Sequence, residues 1–386
     1  MPQNRNLTEE QVFLRDTVCK FAEEVVRPVA AEFDEKEEFP YDIVKQMFEM
    51  GFMGCIVPEK FGGTELDYLS YIIVVEELAK VDNSIAGTVA AHNSLGTAPI
   101  MYFGNEEQKA KYLPLLSSKH LWGFGLTEPN AGSDAGNTQT NAVQDGDFWI
   151  INGSKIFITN AATDITLGST ILTVTGELPN GKKEYTCFLV ENDTPGFIQK
   201  TIHKKMLWRS SNTAELFLED VRVHKSQMLG NRGDGFHQML KTLDYGRLSI
   251  ASCGLGLAAG ATAYALKYAK QRVAFKKKIA SFQSTAFKFA DMDMGVELAR
   301  NYLYETCRMA QEGLPISKEG AISKLYCSEL AHSCSNHAVQ IMGGYGLMKE
   351  YEAERYYRDA KILEIGEGTS EIQRLVIARN IGCWSD

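Results

Sequence analysis

The sequence predicts a multi-domain α+β fold in which a β domain lies between two helical blocks, and three observations carry that prediction. Apolar residues recur every three or four positions from residue 7 to about 120, and again from about 236 to 382. From about 121 to 235 the pattern changes to short runs of β-branched and aromatic residues separated by Asp-Gly and Asn-Gly pairs. A length of 386 residues suits two or three domains at about 150 residues each. The division taken is 1–120, 121–235 and 236–386.

The first block opens on a helix start. In Thr8-Glu-Glu-Gln11 a hydroxyl precedes an amide by three residues, the spacing of a capping box. Leu14, Val18, Phe21, Val25 and Val29 then form one apolar stripe. Segments 43–53 and 69–78 repeat the period, with Pro40, Pro58 and Gly62-Gly63 as breaks.

The middle block supplies strands at 148–151, 155–159, 169–174 and 185–190, continued around Phe197 and 216–218. Asp145-Gly146, Asn152-Gly153 and Asn180-Gly181 separate them. Such pairs suit type I′ hairpin turns because both central residues take positive φ. An antiparallel β domain is expected. The last block returns to long Ala/Leu-rich helices at 248–271, 284–313 and 322–342. Two helical blocks around a β insert are expected to pack as one body.

Composition excludes several classes of function. Apolar residues make up 44% and charged residues 23%, so the chain is globular. A net charge of -9 argues against nucleic acid as a partner. The polar start MPQNRNLTEEQ has no apolar leader region, and no run approaches a membrane span. The eight cysteines form no C-x-x-C pair, and the seven histidines show no metal-ligand spacing. No metal is expected, and the thiols read as buried groups in a reducing cytosol. Cys327 and Cys334 lie seven apart on one helix face without implying a disulfide.

Four segments could carry chemistry. Gly254-Leu-Gly-Leu-Ala-Ala-Gly260 has the spacing of a dinucleotide fingerprint, but a helical run leads into it where a strand and turn are required. Small residues that let helices pack closely are the better reading. Leu126–Asp134 is a dense polar loop, either a cradle for a phosphate-like ligand or a polar turn. Phe157 and Thr159 lie two apart on a strand and so share a face. They could stack on a flat ring and bond its edge, or be a core Phe beside an exposed Thr. Glu367 stands between two glycines after an apolar approach. A carboxylate there could serve as a base with a raised pKa. Equally, the segment could be a helix N-terminus, with Thr369 or Ser370 capping toward Gln373.

Six segments, in order, resemble the acyl-CoA dehydrogenases over nearly the whole chain. They are 125–134, Lys155-Ile-Phe-Ile-Thr-Asn160, 209–216, Leu243-Asp-Tyr-Gly-Arg247, Gln340-Ile-Met-Gly-Gly-Tyr-Gly346 and Glu367-Gly-Thr-Ser-Glu-Ile-Gln373. The resemblance implies an α-helical N-domain, a middle antiparallel β-barrel or sandwich and a C-terminal four-helix bundle, assembled as a homotetramer. It implies FAD as cofactor, an acyl-CoA thioester as substrate and electron-transfer flavoprotein as electron partner; the cytosol is expected because no targeting segment is visible, with a processed organellar form as the alternative. The implied reaction removes the C2 proton to Glu367 and the C3 hydride to flavin N5, giving the 2,3-enoyl-CoA. The reverse reaction, an enoyl-CoA reductase, and a non-catalytic CoA-binding paralogue are the alternatives.

The resemblance also implies roles for individual residues. Phe124, Leu126, Thr127 and Gly132 would meet the flavin, and Ser133 its pyrophosphate or the pantetheine of the substrate. Phe157, Ile158 and Thr159 would lie along the isoalloxazine. Arg272, Phe275, Phe282 and Gln283, with Gln340, Gly343 and Gly344, would grip the adenine half across a subunit boundary. Ala274 stands where a hydroxyl sometimes occurs. Thr369 and Glu371 would add FAD contacts. Asp244, Arg247, Gly368 and Arg379 would contact CoA, although Arg247 could instead pair with Asp244. Gly246 occupies the alternative base position of some relatives, which leaves Glu367 as the base candidate. Gly366, often Tyr in relatives, is expected to widen the pocket for a short, branched or cyclic acyl group. Residues 82–95 contain no Arg or Lys, which disfavours a dicarboxylyl-CoA.

Overall fold

The computed structural model describes residues 7–384. The polar opening segment 1–6, part of the argument against a leader, lies outside the described residues. Seven helices come first: α1 (Glu9–Phe21), α2 (Arg27–Lys36), α3 (Tyr41–Glu49), α4 (Tyr68–Ala79), α5 (Asn83–Ala91), α6 (Ala98–Phe103) and α7 (Glu106–Ser118). The capping box forms as expected. Thr8 Oγ1 accepts from Gln11 N at 3.2 Å, and Gln11 Oε1 accepts from Thr8 N at 3.1 Å. The apolar stripe holds only to Phe21. A π-helical turn at Ala22–Val26 separates α1 from α2. Its wider turn rotates the following face. Val26 and Ala30 are therefore buried, while Val25 and Val29 stay half-buried.

Eight strands follow: β1 (Leu121–Gly125), β2 (Asn141–Asp145), β3 (Phe148–Thr159), β4 (Thr166–Glu177), β5 (Lys183–Glu191), β6 (Phe197–Thr201), β7 (Thr213–His224) and β8 (Met228–Leu229). Their order is β6-β7-β3-β2-β4-β5-β8, with β1 also on β4. The expectation of a purely antiparallel sheet is corrected, because β1 and β2 both pair with β4 in parallel. The β2–β4 link is the single pair Asn141–Val174. On either side of it the two halves of the sheet share one apolar core, including Trp149, Ile151, Ile171, Phe188, Leu216 and Val223.

None of the three Asx-Gly pairs makes a type I′ turn. In the β2–β3 hairpin Asp145 pairs with Phe148, so Gly146 and Asp147 are the central residues, and only Gly146 has positive φ. That matches a II′ pattern. At β4–β5 only Gly181 is left-handed, φ 78°, and it closes a three-residue loop with Leu178 N bonded to Lys182 O at 2.7 Å. Asn152-Gly153 is not a turn at all, for β3 runs through it. The pairing with β7 slips there, opposite Asp220 (φ 51°), whose carboxylate accepts from Asn152 Nδ2 at 3.0 Å.

The last block holds α8 (Gly235–Gln271), a small hairpin of β9 (Val273–Ala274) and β10 (Lys277–Lys278), then α9 (Gln283–Gln311), α10 (Ser317–Met342), α11 (Ala353–Leu363) and α12 (Ser370–Asn380). Among the described residues α8 is the one helix long and apolar enough to cross a membrane, and it is mostly buried inside the protein. It packs against α4, α9, α10 and α11. One apolar core includes Val18 and Leu78 of the first block together with Leu255, Leu303 and Ala331 of the last, so the helical blocks form one body. The glycines of the fingerprint-like segment are packing glycines. A Cβ at Gly254 would lie 2.8 Å from the Cys327 carbonyl oxygen, and one at Gly256 or Gly260 would strike α4 or Lys80 just beyond it.

Cys55, Cys187, Cys253, Cys307, Cys327 and Cys334 are buried free thiols, whereas Cys19 and Cys383 are exposed, contrary to expectation. Among the described residues no cluster of His, Cys, Asp and Glu could hold a metal.

Candidate active site

Glu367 lies in the turn between α11 and α12. Gly366 N returns to Ile362 O at 2.7 Å, and Ser370 N bonds Glu364 O at 2.9 Å. This tight reversal puts Glu367 at φ 52° and Gly368 at φ 94°. A left-handed glutamate costs on the order of 1–3 kcal/mol and persists only where its surroundings enforce it. Three side chains enforce it here. Lys324 Nζ donates to Gly368 O at 2.7 Å, Ser328 Oγ to Leu363 O at 2.7 Å, and Gln373 Nε2 to Gly368 O at 2.9 Å. Thr369 caps α12, its hydroxyl accepting from Ile372 N at 3.3 Å, so the segment is a helix start, with Ile372 as donor in place of Gln373.

The Glu367 residue as a whole is half-buried, but its Oε2 is buried and has no hydrogen-bond partner. Burial pushes the carboxyl up to about 7, against the opposing pull of Lys324 and Arg247. Gly246 of α8 and Leu95 crowd this end of the side chain. Among the described residues the Glu367 N–H finds no backbone acceptor. The site therefore presents a buried, near-neutral carboxylate beside an open N–H donor. Arg247 is buried and its Nη1 pairs with Asp244, while its Nε has no partner. The ion-pair alternative for these two residues is thus the observed one. Gly368 belongs to the same turn, whereas Arg379 is exposed in the last turn of α12.

A second group gathers on the β domain. Phe124 and Leu126 are buried at the end of β1. Thr127 O accepts from Ile156 N at 2.9 Å, which binds the polar loop to β3. Gly132 and Ser133 are exposed, and nothing lies within 4 Å of a Cβ built on Gly132. The β3–β7 register slips again between Lys155 and Ile158, and Phe157 takes φ 61°. This bulge breaks the strict alternation. It sends Ile158 into the core and leaves Phe157 64% exposed, with Thr159 also off the core. Phe157 is thus not the core residue of the alternative reading.

A third group is solvent-facing. Phe275 is 91% exposed with φ 50°, and its ring meets Phe282 edge-on at 6.2 Å. Arg272 lies over Tyr345 at 5.6 Å, which brings it beside the exposed Gln340, Gly343 and Gly344. Gln283 and Glu371 are exposed as well.

Family descriptions of the acyl-CoA dehydrogenase N-terminal, middle and C-terminal domains match residues 8–120, 123–221 and 233–382. The chain belongs to the acyl-CoA dehydrogenase family. It is 48% identical to the probable acyl-CoA dehydrogenase YngJ of Bacillus subtilis (strain 168), over 98% of this chain and 99% of that protein. It is 38% identical to 3-(aryl)acrylate reductase of Clostridium sporogenes (strain ATCC 15579), over 97% and 99%. The structure of butyryl-CoA dehydrogenase from Megasphaera elsdenii matches with a TM-score of 0.93 at 41% identity, covering 97% of this chain and 99% of that one.

Acyl-CoA dehydrogenases are flavin-dependent oxidoreductases that carry FAD. The residues of this dehydrogenase fit such a group. A flat ring needs an aromatic face outside the core, which the Phe157 bulge supplies, with hydroxyls at Thr127 and Thr159. The open space at Gly132, Gly343 and Gly344 admits close approach of phosphates or adenine to backbone. When bound, the flavin supplies the hydride acceptor.

Two supports escaped the sequence reading. Lys324 is a fully buried lysine whose place among buried Ala321, Cys327, Ser328 and Ala331 was visible as a charge on an otherwise small and apolar stripe. Glu128 and Lys155 form a buried pair at 2.7 Å that ties the Leu126–Asp134 loop to β3. Glu128 also accepts from Gln139 N at 2.6 Å and Thr140 N at 3.0 Å.

Proposed function

We propose that this dehydrogenase oxidises a short, branched or cyclic acyl-CoA to its 2,3-enoyl-CoA, with Glu367 as the base. The observation that carries the reading is the unpartnered, buried Oε2 of Glu367. A carboxylate in that setting gains from accepting a proton, and a pKa near 7 matches it to proton abstraction at neutral pH. The C2 proton of a thioester is acidic because its loss gives an enolate. The free Glu367 N–H suits the oxygen on which that charge develops. The C2 proton passes to Glu367, the C3 hydrogen leaves with its electron pair, and the double bond forms between the two carbons.

Gly366 supports the substrate preference. A Cβ there would make only ordinary contacts with Ile362, at 3.4–3.8 Å, so the missing side chain leaves usable space. The run 82–95, largely buried on α5 and the π turn after it, contains no Arg or Lys to meet a second carboxylate.

Cofactor assignments follow the second and third groups: Phe124, Leu126, Thr127, Phe157, Ile158 and Thr159 at the ring, and Arg272, Phe275, Phe282, Gln283, Gln340, Gly343 and Gly344 at the adenine half. The exposed apolar residues Phe287, Met294, Leu298 and Tyr302 share one face of α9. That face supports the homotetramer, in which a neighbouring subunit would cover it. Electron-transfer flavoprotein is the proposed acceptor, and the cytosol the proposed location.

The test is Glu367→Gln. It should lose turnover by about 10²-fold or more while holding flavin, and a variant that kept most of its activity would remove Glu367 from the role. The similarity to a 3-(aryl)acrylate reductase favours a second reading, reduction of an enoyl-CoA. Assays with oxidised and with reduced electron-transfer flavoprotein separate the two directions.

A further inference from the structure

We propose that Lys324 is a positioning residue for the base: its ammonium fixes the peptide that follows Glu367 and supplies a buried counter-charge to the Glu367 carboxylate. The inference rests on the base reading above and adds a residue to it. Lys324 lies in the N-terminal third of α10 and is completely buried. A buried ammonium without compensation is costly, so its partners define its purpose. Its hydrogen bond goes to Gly368 O at 2.7 Å, one residue past Glu367. One turn further along α10, Ser328 Oγ donates to Leu363 O at 2.7 Å, at the other end of the same turn. The helix thus holds the base loop at both shoulders. Gln373 Nε2 bonds the same Gly368 carbonyl from α12 at 2.9 Å. The Gly368 carbonyl therefore keeps a donor without Lys324, but the charge has no substitute at that position.

The charges around the pair are few. Glu367 experiences Lys324 and Arg247, and it in turn acts on the buried thiol of Cys253. Lys324 experiences Glu367, Glu364 and Glu371, which favour its charged form, and Arg247, which opposes it. Arg247 is already committed to Asp244. Glu364 pairs with Lys361 and His332, and Glu371 is exposed. Lys324 is therefore the cation not otherwise matched that acts on the base. Desolvation pulls Lys324 down to about 8 while Glu367 stands at about 7. Between those values both groups are charged.

The experiment uses the flavin-loaded enzyme. K324Q keeps a donor for Gly368 O and removes the charge, K324M removes both, and K324R keeps the charge. The acidic limb of the kcat/KM profile should move up by about one pH unit in K324Q and K324M, and return toward the wild-type position in K324R. K324M should also lose plateau turnover. A merely structural lysine would lower the plateau without moving the limb.

An infrared titration of the carboxyl band that disappears in E367Q should show the same upward shift directly. The reciprocal measurement leaves position 324 intact. In E367Q, Lys324 loses its counter-charge and should react with an amine reagent at lower pH than in wild type, read by mass spectrometry. A limb, a carboxyl band and a Lys324 reactivity all unmoved overturn the inference even if E367Q is inactive. An active E367Q overturns the base reading instead, and the carboxyl shift in K324Q still tests the pairing.

Discussion

Gly246 faces the Glu367 carboxylate so closely that a methyl group on its Cα would collide with Oε2. The proposed base and the helix that passes it are therefore fitted to each other, and α8 tolerates no side chain at this point without moving the carboxylate. Gly246→Ala should displace the base by a fraction of an ångström to about 1 Å, and misplacement on that scale costs up to about 10²-fold in rate. Flavin content should stay unchanged, since the residues proposed for the flavin lie outside α8. Steady-state turnover alongside the flavin absorbance checks this, and full activity in the variant would show that the carboxylate has slack.

The raised pKa of Glu367 fixes the sign of the pH dependence. Only the ionised carboxylate accepts the C2 proton, so kcat/KM should be flat above about 7 and fall as pH drops through that value. Roughly a tenfold loss per pH unit is expected on the acid side. An acidic limb near the ordinary glutamate value of about 4.3 would mean that the buried setting does not govern the base.

The sequence showed the elements better than their joints. Capping at Thr8, the helix periods and the polar loop at Leu126–Asp134 were legible because each depends on neighbours in the chain. The π turn at Ala22–Val26, the bulge at Phe157 and the strand passing through Asn152-Gly153 were not. Each is decided by a partner strand or helix far away in sequence, as the Asn152–Asp220 bonds show. The site divides in the same way. Glu367 between two glycines could be picked out locally, but Lys324, 43 residues upstream of it, joins it only because α10 packs beneath the α11–α12 turn.

The Glu128–Lys155 pair should behave as a buried ion pair that holds the Leu126–Asp134 loop, proposed above to meet the flavin. Burial drags Lys155 down to about 8, while Lys155 holds the Glu128 carboxyl below its usual range. Removing either partner strands the other charge, at a cost of about 3–5 kcal/mol. Lys155→Met and Glu128→Gln should each destabilise the protein and loosen flavin, with the double variant less damaged than the sum of the two. Denaturation of all four forms gives the cycle, and strictly additive losses would show that the pair is not coupled.

Gly366 gives the substrate preference a direct test. Its backbone φ is ordinary, and the neighbours of an added Cβ are at van der Waals distance, so Gly366→Tyr is compatible with the local fold. The ring would occupy the space proposed for a branched or cyclic acyl group. Turnover of branched and cyclic thioesters should fall about tenfold or more relative to a straight chain of equal carbon count, within the range that a pocket contact commands. A parallel change for all acyl groups would place the specificity elsewhere.

Asp359 predicts a pH dependence of stability separate from activity. Its carboxyl is buried on α11, accepts from Trp208 N at 2.9 Å, and is raised to about 7, chiefly by burial and then by Asp82. A folded-state pKa above the unfolded value of about 3.9 means that the native protein binds the extra proton. Its stabilising contribution is then complete below about 4 and lost as pH rises through about 7. His92, pulled down to about 4 by burial, works in the opposite direction in part of that window, but it is present in wild type and variant alike. Asp359→Asn keeps an acceptor for the Trp208 N–H and cannot ionise. Its Tm should match wild type near pH 4 and exceed it by a margin that widens up to about pH 7 and then levels off. Melting curves that run parallel across this range would show that Asp359 does not carry the proton, and that the neighbouring Arg358 and Arg355 keep it ionised in the folded state.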